Sequence, residues 1–317
     1  MKIINFLTDF PDESSCKAKW KEYRDKQGVI CPRCDCTDHY WKKDKENYEC
    51  KSCRYRQSLR ANTVMHGSQL PFRYWFIAIH LLTSTKKSFS AKELQRQLGH
   101  SNYDPIWAML HKLRQVMGMR DACYSLGGVV ELDEGFFSTE AGKEYKDQPL
   151  KRGRGSQKKS KVLVMAESIP TEDEKGKSRK VGYIKMFVIE DLQAKTIDKK
   201  VIDYIDKQSI IDSDNSTSYT NFKNLVKEHR PAVIPKKEVP KLLPWVHIAI
   251  SNAKRMLLDM FHGIKSEYLQ FMVSKVEPSY LNEFCYKFNR RYFGERLFDR
   301  LMVATVTYKN QFRYNIR

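Results

Sequence analysis

Four cysteines constrain this chain more than anything else in it: Cys31-Pro32-Arg33-Cys34 and, after fifteen intervening residues, Cys50-Lys51-Ser52-Cys53. Two Cys-x-x-Cys pairs at that spacing let four thiolates converge on one tetrahedral ion, which is the pattern of a structural Zn²⁺ site. A segment so short and polar cannot bury enough apolar surface to fold unaided, so the metal supplies much of its folding free energy. Tyr48 and Tyr55 flank the second pair and suit the short strands of a zinc ribbon. A redox function fits less well, because redox Cys-x-x-Cys motifs open a helix in a βαβ setting. Cys36 and His39, between the pairs, read as loop residues, and Cys16, Cys123 and Cys285 as scattered thiols.

The pattern changes twice around this ribbon. Trp20 and Tyr23 stand at helical spacing, so an amphipathic helix precedes the cysteines and a first domain covers residues 1–66. Residues 67–122 carry helical periodicity throughout. Phe72, Trp75, Phe76 and Ile79 form one face of a helix over 71–82. Ser90-Ala91-Lys92-Glu93 has the form of a capping box, Leu94 and Leu98 continue a face, and Gly99 can end that helix. Asp104-Pro105 then gives an N-cap with proline in the first turn, ahead of the stripe Ile106, Met109, Leu110, Leu113 and Met117. Two helices around a glycine turn predict a helix-turn-helix whose second helix offers Lys112 and Arg114 to DNA. A plain helical connector is the alternative.

From Gly127 the pattern becomes strand-like, and a third domain is placed at 123–317. Asp133 lies inside an apolar stretch where an acid is costly unless it serves a metal or a partner. Glu134, its neighbour, faces the opposite side of a strand, and alternation alone does not choose between them. A second acidic step, Ser209-Ile210-Ile211-Asp212-Ser213-Asp214, leaves a strand for a polar loop, and Asp212 and Asp214 share a face. A later helical segment, 245–258, carries His247, Ser251, Asn252 and Lys254 and can bring an amide oxygen to these acids. Two carboxylates and one further oxygen donor suffice for hard divalent ions such as Mg²⁺ or Mn²⁺.

Charge points the same way. The formal net charge is +19, an excess that suits a polyanion such as nucleic acid better than a membrane surface. The glycine-punctuated loop 151–161 holds Lys151, Arg152, Arg154, Lys158 and Lys159, and Arg290, Arg291, Arg296 and Arg300 follow near the end; all can neutralise phosphates without reading bases. No apolar run has the length of a membrane span, and the opening residues turn acidic too early for a secretory signal. An intracellular protein is expected, acting in the cytoplasm or nucleoid of a bacterium or the nucleus of a eukaryote.

These motifs together resemble the bacterial insertion-sequence transposases of the ISXO type, relatives of the Merlin transposases. The resemblance is carried by Tyr48-Glu49-Cys50-Lys51-Ser52-Cys53-Arg54, Leu70-Pro71-Phe72-Arg73-Tyr74-Trp75-Phe76 and Val130-Glu131-Leu132-Asp133-Glu134. It continues through Lys151-Arg152-Gly153-Arg154-Gly155, Ser213-Asp214 before Tyr219, His247 five residues before Asn252, and Leu281-Asn282-Glu283-Phe284-Cys285-Tyr286-Lys287-Phe288-Asn289-Arg290-Arg291. It implies an α+β multidomain chain: zinc ribbon, helix-turn-helix region and an RNase H-like α/β catalytic domain with a C-terminal helix. It implies Asp133 as the first acid and Asp214 as the second. The third position is Glu in many members and, in a subgroup, Asn followed two residues later by Lys, which Asn252 and Lys254 match. The implied activity is metal-dependent DNA cleavage and strand transfer on terminal inverted repeats and target DNA, by a homo-oligomer. Two rivals remain at this point, a transposase-derived DNA-binding regulator without activity and an RNase H-like nuclease that does not join strands.

Overall fold

Both cysteine pairs occupy the same backbone turn. Cys31 N–H donates to Cys36 O (2.9 Å) and Asp35 N–H to Cys31 O (3.0 Å); in the second pair Cys50 N–H donates to Tyr55 O (2.9 Å) and Arg54 N–H to Cys50 O (3.1 Å). Asp35 and Arg54, each just past its second cysteine, hold left-handed φ values of 54° and 62°. The turns aim four sulfurs at one point: Cys31 and Cys53 Sγ are 3.5 Å apart, Cys34 and Cys50 Sγ 3.6 Å, and all four lie within 4.8 Å of one another. Zinc–sulfur bonds of about 2.3 Å put tetrahedral sulfurs about 3.8 Å apart, so the cluster fits a structural zinc. Backbone N–H of Cys53 aimed at the Cys50 sulfur lowers that thiol's pKa. Cys36 and His39 stay outside the cluster, bonded to Asp38 and to Thr37 and Gln57.

The computed structural model describes residues 1–141, 149, 151–153, 156–171, 179–233, 242–260 and 280–308. They divide into one unit formed by Met1–Arg120 with Tyr292–Arg317, and another formed by Asp121–Arg291. No helix among the described residues is long and apolar enough to cross a membrane.

In the first unit the ribbon is a three-stranded antiparallel sheet, β1 (His39–Lys42), β2 (Asn47–Cys50) and β3 (Arg56–Ser58). Ahead of it come α1 (Ile3–Asp9) and α2 (Glu13–Gln27), where Trp20 is fully buried and donates its indole N–H to Leu59 O at 3.2 Å. Pro71 gives α3 (Phe72–Ser84) no side-chain cap; the Glu13 carboxylate caps it instead, accepting from Phe72 N (2.8 Å) and Arg73 N (2.9 Å). Ser90 Oγ caps α4 (Ala91–Leu98) by accepting from Glu93 N at 3.1 Å, and Gly99 ends it at φ 62°. The following helix, α5 (Tyr103–Ala122), begins one residue before Asp104.

Two expectations are corrected here. Arg114 falls four residues after Leu110, on the apolar stripe, so it is 1% exposed and donates to Ser88 Oγ (3.3 Å) and Phe89 O (3.0 Å). It anchors the segment before α4 and is not offered to DNA. Lys112 is half-buried and donates to His66 O at 3.1 Å. The third domain had been drawn to residue 317, whereas α9 (Leu297–Thr307) belongs to the first unit. Phe298 packs against the rings of Phe6, Phe10 and Phe76, Asp299 accepts from the Tyr23 hydroxyl, and Thr305 O accepts from Val64 N at 3.1 Å.

The second unit is built on β4 (Val129–Ser138), β5 (Lys159–Pro170), β6 (Arg179–Ile189), β7 (Ile210–Asp214) and β8 (Glu228–Ala232), ordered β6-β5-β4-β7-β8. The β6-β5-β4 portion is antiparallel, while β4-β7-β8 is parallel. One face buries Val130, Leu132, Leu163 and Ile211 with Ile197 and Val201 of α6 (Ala194–Tyr204). The other buries Phe137, Val162, Val164 and Met186 under Val246, Ile250 and Ala253 of α7 (Pro244–Met260) and Leu281 and Phe284 of α8 (Tyr280–Asn289). A mixed five-stranded sheet with helices on both faces is consistent with an RNase H-like transposase domain.

The end of α8 is latched to the sheet. Asn289 accepts from Ile184 N (2.8 Å) and donates to Ile184 O (3.0 Å), and Lys185 Nζ donates to Asp121 O at 2.7 Å. Arg290 ion-pairs with Asp121 and lies 3.9 Å over the Tyr286 ring; Arg291 donates to Val181 O at 2.6 Å. Both arginines, read from the sequence as phosphate contacts, serve packing. Burial raises the Asp121 pKa against the pull of Arg290, so removing the guanidinium leaves a buried acid unpaired. Arg290→Ala should therefore lower stability by about 3–5 kcal/mol in urea denaturation, and Arg290→Lys should recover only part of it.

Candidate functional site

Parallel pairing of β4 with β7 sets the acids side by side. Glu131 is registered with Asp212 and Leu132 with Ser213; one step further stand Asp133, midway along β4, and Asp214, the last residue of β7. Registered residues of adjacent parallel strands point to the same face about 4.8 Å apart, so Glu131, Asp133, Asp212 and Asp214 all face α7. Glu134 points the other way, where its carboxylate accepts from the buried Tyr219 hydroxyl. Asp133 Oδ1 accepts from Glu134 N at 2.7 Å and Asp214 Oδ1 from Ser216 N at 3.2 Å. Those bonds hold both carboxylates in defined orientations.

Helix α7 runs over this face and meets alternate residues of β4 in turn. Glu131 Oε2 accepts from Trp245 N (2.7 Å) and Val246 N (3.1 Å). His247 Nε2 lies 3.6 Å from Asp133 Oδ2 and makes no hydrogen bond. Ile250 packs over Gly135, and Lys254 Nζ stands 5.5 Å above the Phe137 ring. Burial lowers the His247 pKa. Burial also raises the Glu131 carboxyl to about 7, against the two backbone N–H groups that favour its charge. Burial raises Asp212 too, with Arg179 at 3.7 Å opposing it.

Of the residues named from sequence, the fold thus unites Asp133 and Asp214. At about 100° per residue Asn252 stands about 140° around α7 from His247, and its side chain is exposed to solvent. Lys254, seven residues after His247, returns to within about 20° of it. Burial, then the charge of Lys159, lowers the Lys254 pKa, so these two cations converge near the end of β4. Lys151, Arg152, Lys158 and Lys159 are exposed, and Arg154 lies outside the described residues. His247 is the group that sequence reading underweighted. The signal for it is the seven-residue step to Lys254, which places both on one helix face.

Among curated proteins none matches the chain. A solved structure, the crystal structure of a pre-cleavage Mos1 transpososome, is similar at 14% identity over 77% of this chain and 82% of that chain, with a TM-score of 0.28, too low to carry an argument. Residues 125–289, just over half of the chain and nearly the whole of the second unit, match the ISXO2-like transposase domain. They include β4, β7 and α7 with the acids they bring together, and the chain belongs to the ISXO2-like transposase family.

Proposed function

We propose that the protein is a DNA transposase whose second unit, an RNase H-like domain, cleaves the ends of a mobile element and joins them to target DNA by divalent-metal-dependent phosphoryl transfer. The observation that carries this reading is the placement of Asp133 and Asp214 one step beyond the registered Leu132–Ser213 pair of two parallel strands, inside the segment that matches the family. Two carboxylates sharing a face suit Mg²⁺ or Mn²⁺ and would hold the divalent ion. His247 Nε2, 3.6 Å from Asp133 Oδ2, is set to orient that carboxylate. Such an ion supplies Lewis-acid stabilisation of charge on a phosphodiester. Asn252, exposed on α7, stays the candidate for a third oxygen donor.

The chain's own cations serve the DNA. Lys254, braced on Phe137 and close to Lys159, is placed to meet a phosphate next to the carboxylates, and Lys151, Arg152 and Lys158 extend the positive surface along the same loop. The ribbon and helix-turn-helix are assigned to binding of the terminal repeats, with zinc holding the four cysteines and the exposed Lys86, Lys87 and Lys92 standing around the start of α4 in place of Arg114. Synapsis of two element ends calls for a dimer or larger assembly.

Asp133→Asn and Asp214→Asn should each bring Mg²⁺-dependent cleavage of end-bearing DNA below detection while leaving mobility-shift binding intact; a variant that cleaves normally removes that residue from the site. Asn252→Ala should raise the Mg²⁺ or Mn²⁺ concentration for half-maximal cleavage, and His247→Ala should lower the rate at saturating metal. The opposite ranking makes His247 the ligand. Metal analysis should find about one zinc per chain, lost in the Cys50→Ser, Cys53→Ser double variant together with end binding, since binding to such a site is worth about 10–16 kcal/mol of folding free energy.

A further inference from the structure

The first turn of α7 lacks a local cap. Pro244 has no N–H, Leu243 ahead of it carries no acceptor, and the first two amides of the helix, on Trp245 and Val246, would be unpaired in an apolar setting. Their acceptor comes from 114 positions away, the Oε2 atom of Glu131, a residue that is 0% exposed. Burying a carboxylate is costly unless it is hydrogen-bonded, and Glu131 Oε2 accepts from both amides of this helix end. Four residues along β4, Gly135 lets the helix approach. A Cβ built there would lie 3.3 Å from Ile250 Cγ1 and 2.9 Å from Phe137 Cε2, so any side chain displaces the helix or the ring under Lys254.

We propose that Glu131 and Gly135 are positioning residues that fix α7 in register on β4 and thereby hold His247 against Asp133. Glu131 sets the helix along its axis and in rotation, because the amides it binds immediately precede His247. A slip of one residue moves the imidazole by about 1.5 Å and turns it by about 100°, which takes it off Asp133. Gly135 sets the depth of the helix over the strand. Neither residue touches DNA. The inference rests on the reading of Asp133 and His247 as parts of the reaction site, but the clamp itself is readable without any activity.

The test compares the full-length protein with Glu131→Ala, Glu131→Gln and Gly135→Ala. Amide hydrogen exchange at Trp245 and Val246 reads the clamp directly: exchange should accelerate at least about tenfold in Glu131→Ala and stay near the wild-type rate in Glu131→Gln, whose Oε1 still accepts. Cleavage should fall about 10–100-fold in Glu131→Ala, recover most of that in Glu131→Gln, and fall in Gly135→Ala, which changes no charge, with end binding kept in all three. Unaltered amide exchange in Glu131→Ala overturns the clamp. Loss of cleavage in Glu131→Gln with its amides still protected overturns positioning and makes the Glu131 charge itself part of the reaction site. Failure of the wild type to cleave DNA defeats the transposase reading alone, because the exchange rates still report on the clamp.

Discussion

The parallel pairing of β4 with β7 is the constraint on which the site depends. Strand pairs repeat with a period of two, so a register that aligns Leu132 with Ser213 commits every residue on either side. Val130, Leu132 and Ile211 go to the core beneath α6, and four acids go to the face beneath α7. A one-residue slip of β7 would exchange these sets, burying carboxylates against leucines. The apolar demand of one face therefore enforces the acidic geometry of the other, and the alignment of Asp133 with Asp214 needs no contact between the two side chains to hold it.

Helix placement follows a common device in both units. Neither α3 nor α7 starts with a residue that can cap it, and each receives a glutamate from a remote element: Glu13 reaches Phe72 and Arg73, and Glu131 reaches Trp245 and Val246. A local cap stabilises a helix wherever the helix lies, whereas a remote one stabilises it only in one place. The device trades local stability for tertiary definition. In the second unit that definition reaches the imidazole next along the chain.

What the sequence disclosed follows the range of the interactions involved. The cysteine knuckles, the Ser90 and Gly99 caps and the strand alternation around Asp133 are local, and they were legible as residue spacing. Glu134 was separable from Asp133 only in part, because the partner that occupies it, Tyr219, is distant in sequence. Arg114 misled because a basic residue on a candidate recognition helix carries the same letter whether it faces solvent or bonds to Phe89 O. The proximity of His247 to Asp133 depends on the rotation of α7 about its axis, and pattern reading treats Glu131 and Gly135, which meet that helix, as unrelated residues of a strand. The closing arginines, Arg290 and Arg291, were assigned by charge, whereas the buried Asp121 and the Val181 carbonyl decide their role.

The return of α9 to the first unit has a consequence for the order in which the chain can fold. Tyr292–Arg317 completes a body that begins at Met1, and Phe298 fills the space among Phe6, Phe10 and Phe76. During synthesis α1 must wait for α9, while the continuous stretch from Asp121 to Arg291 can close on itself earlier. A ribosome that stops short of α9 releases a strand-rich unit with all of its described elements, attached to an amino-terminal body whose aromatic core lacks its final ring. Loss of α9 thus acts on the aromatic residues of α1 and α3, far earlier in the chain.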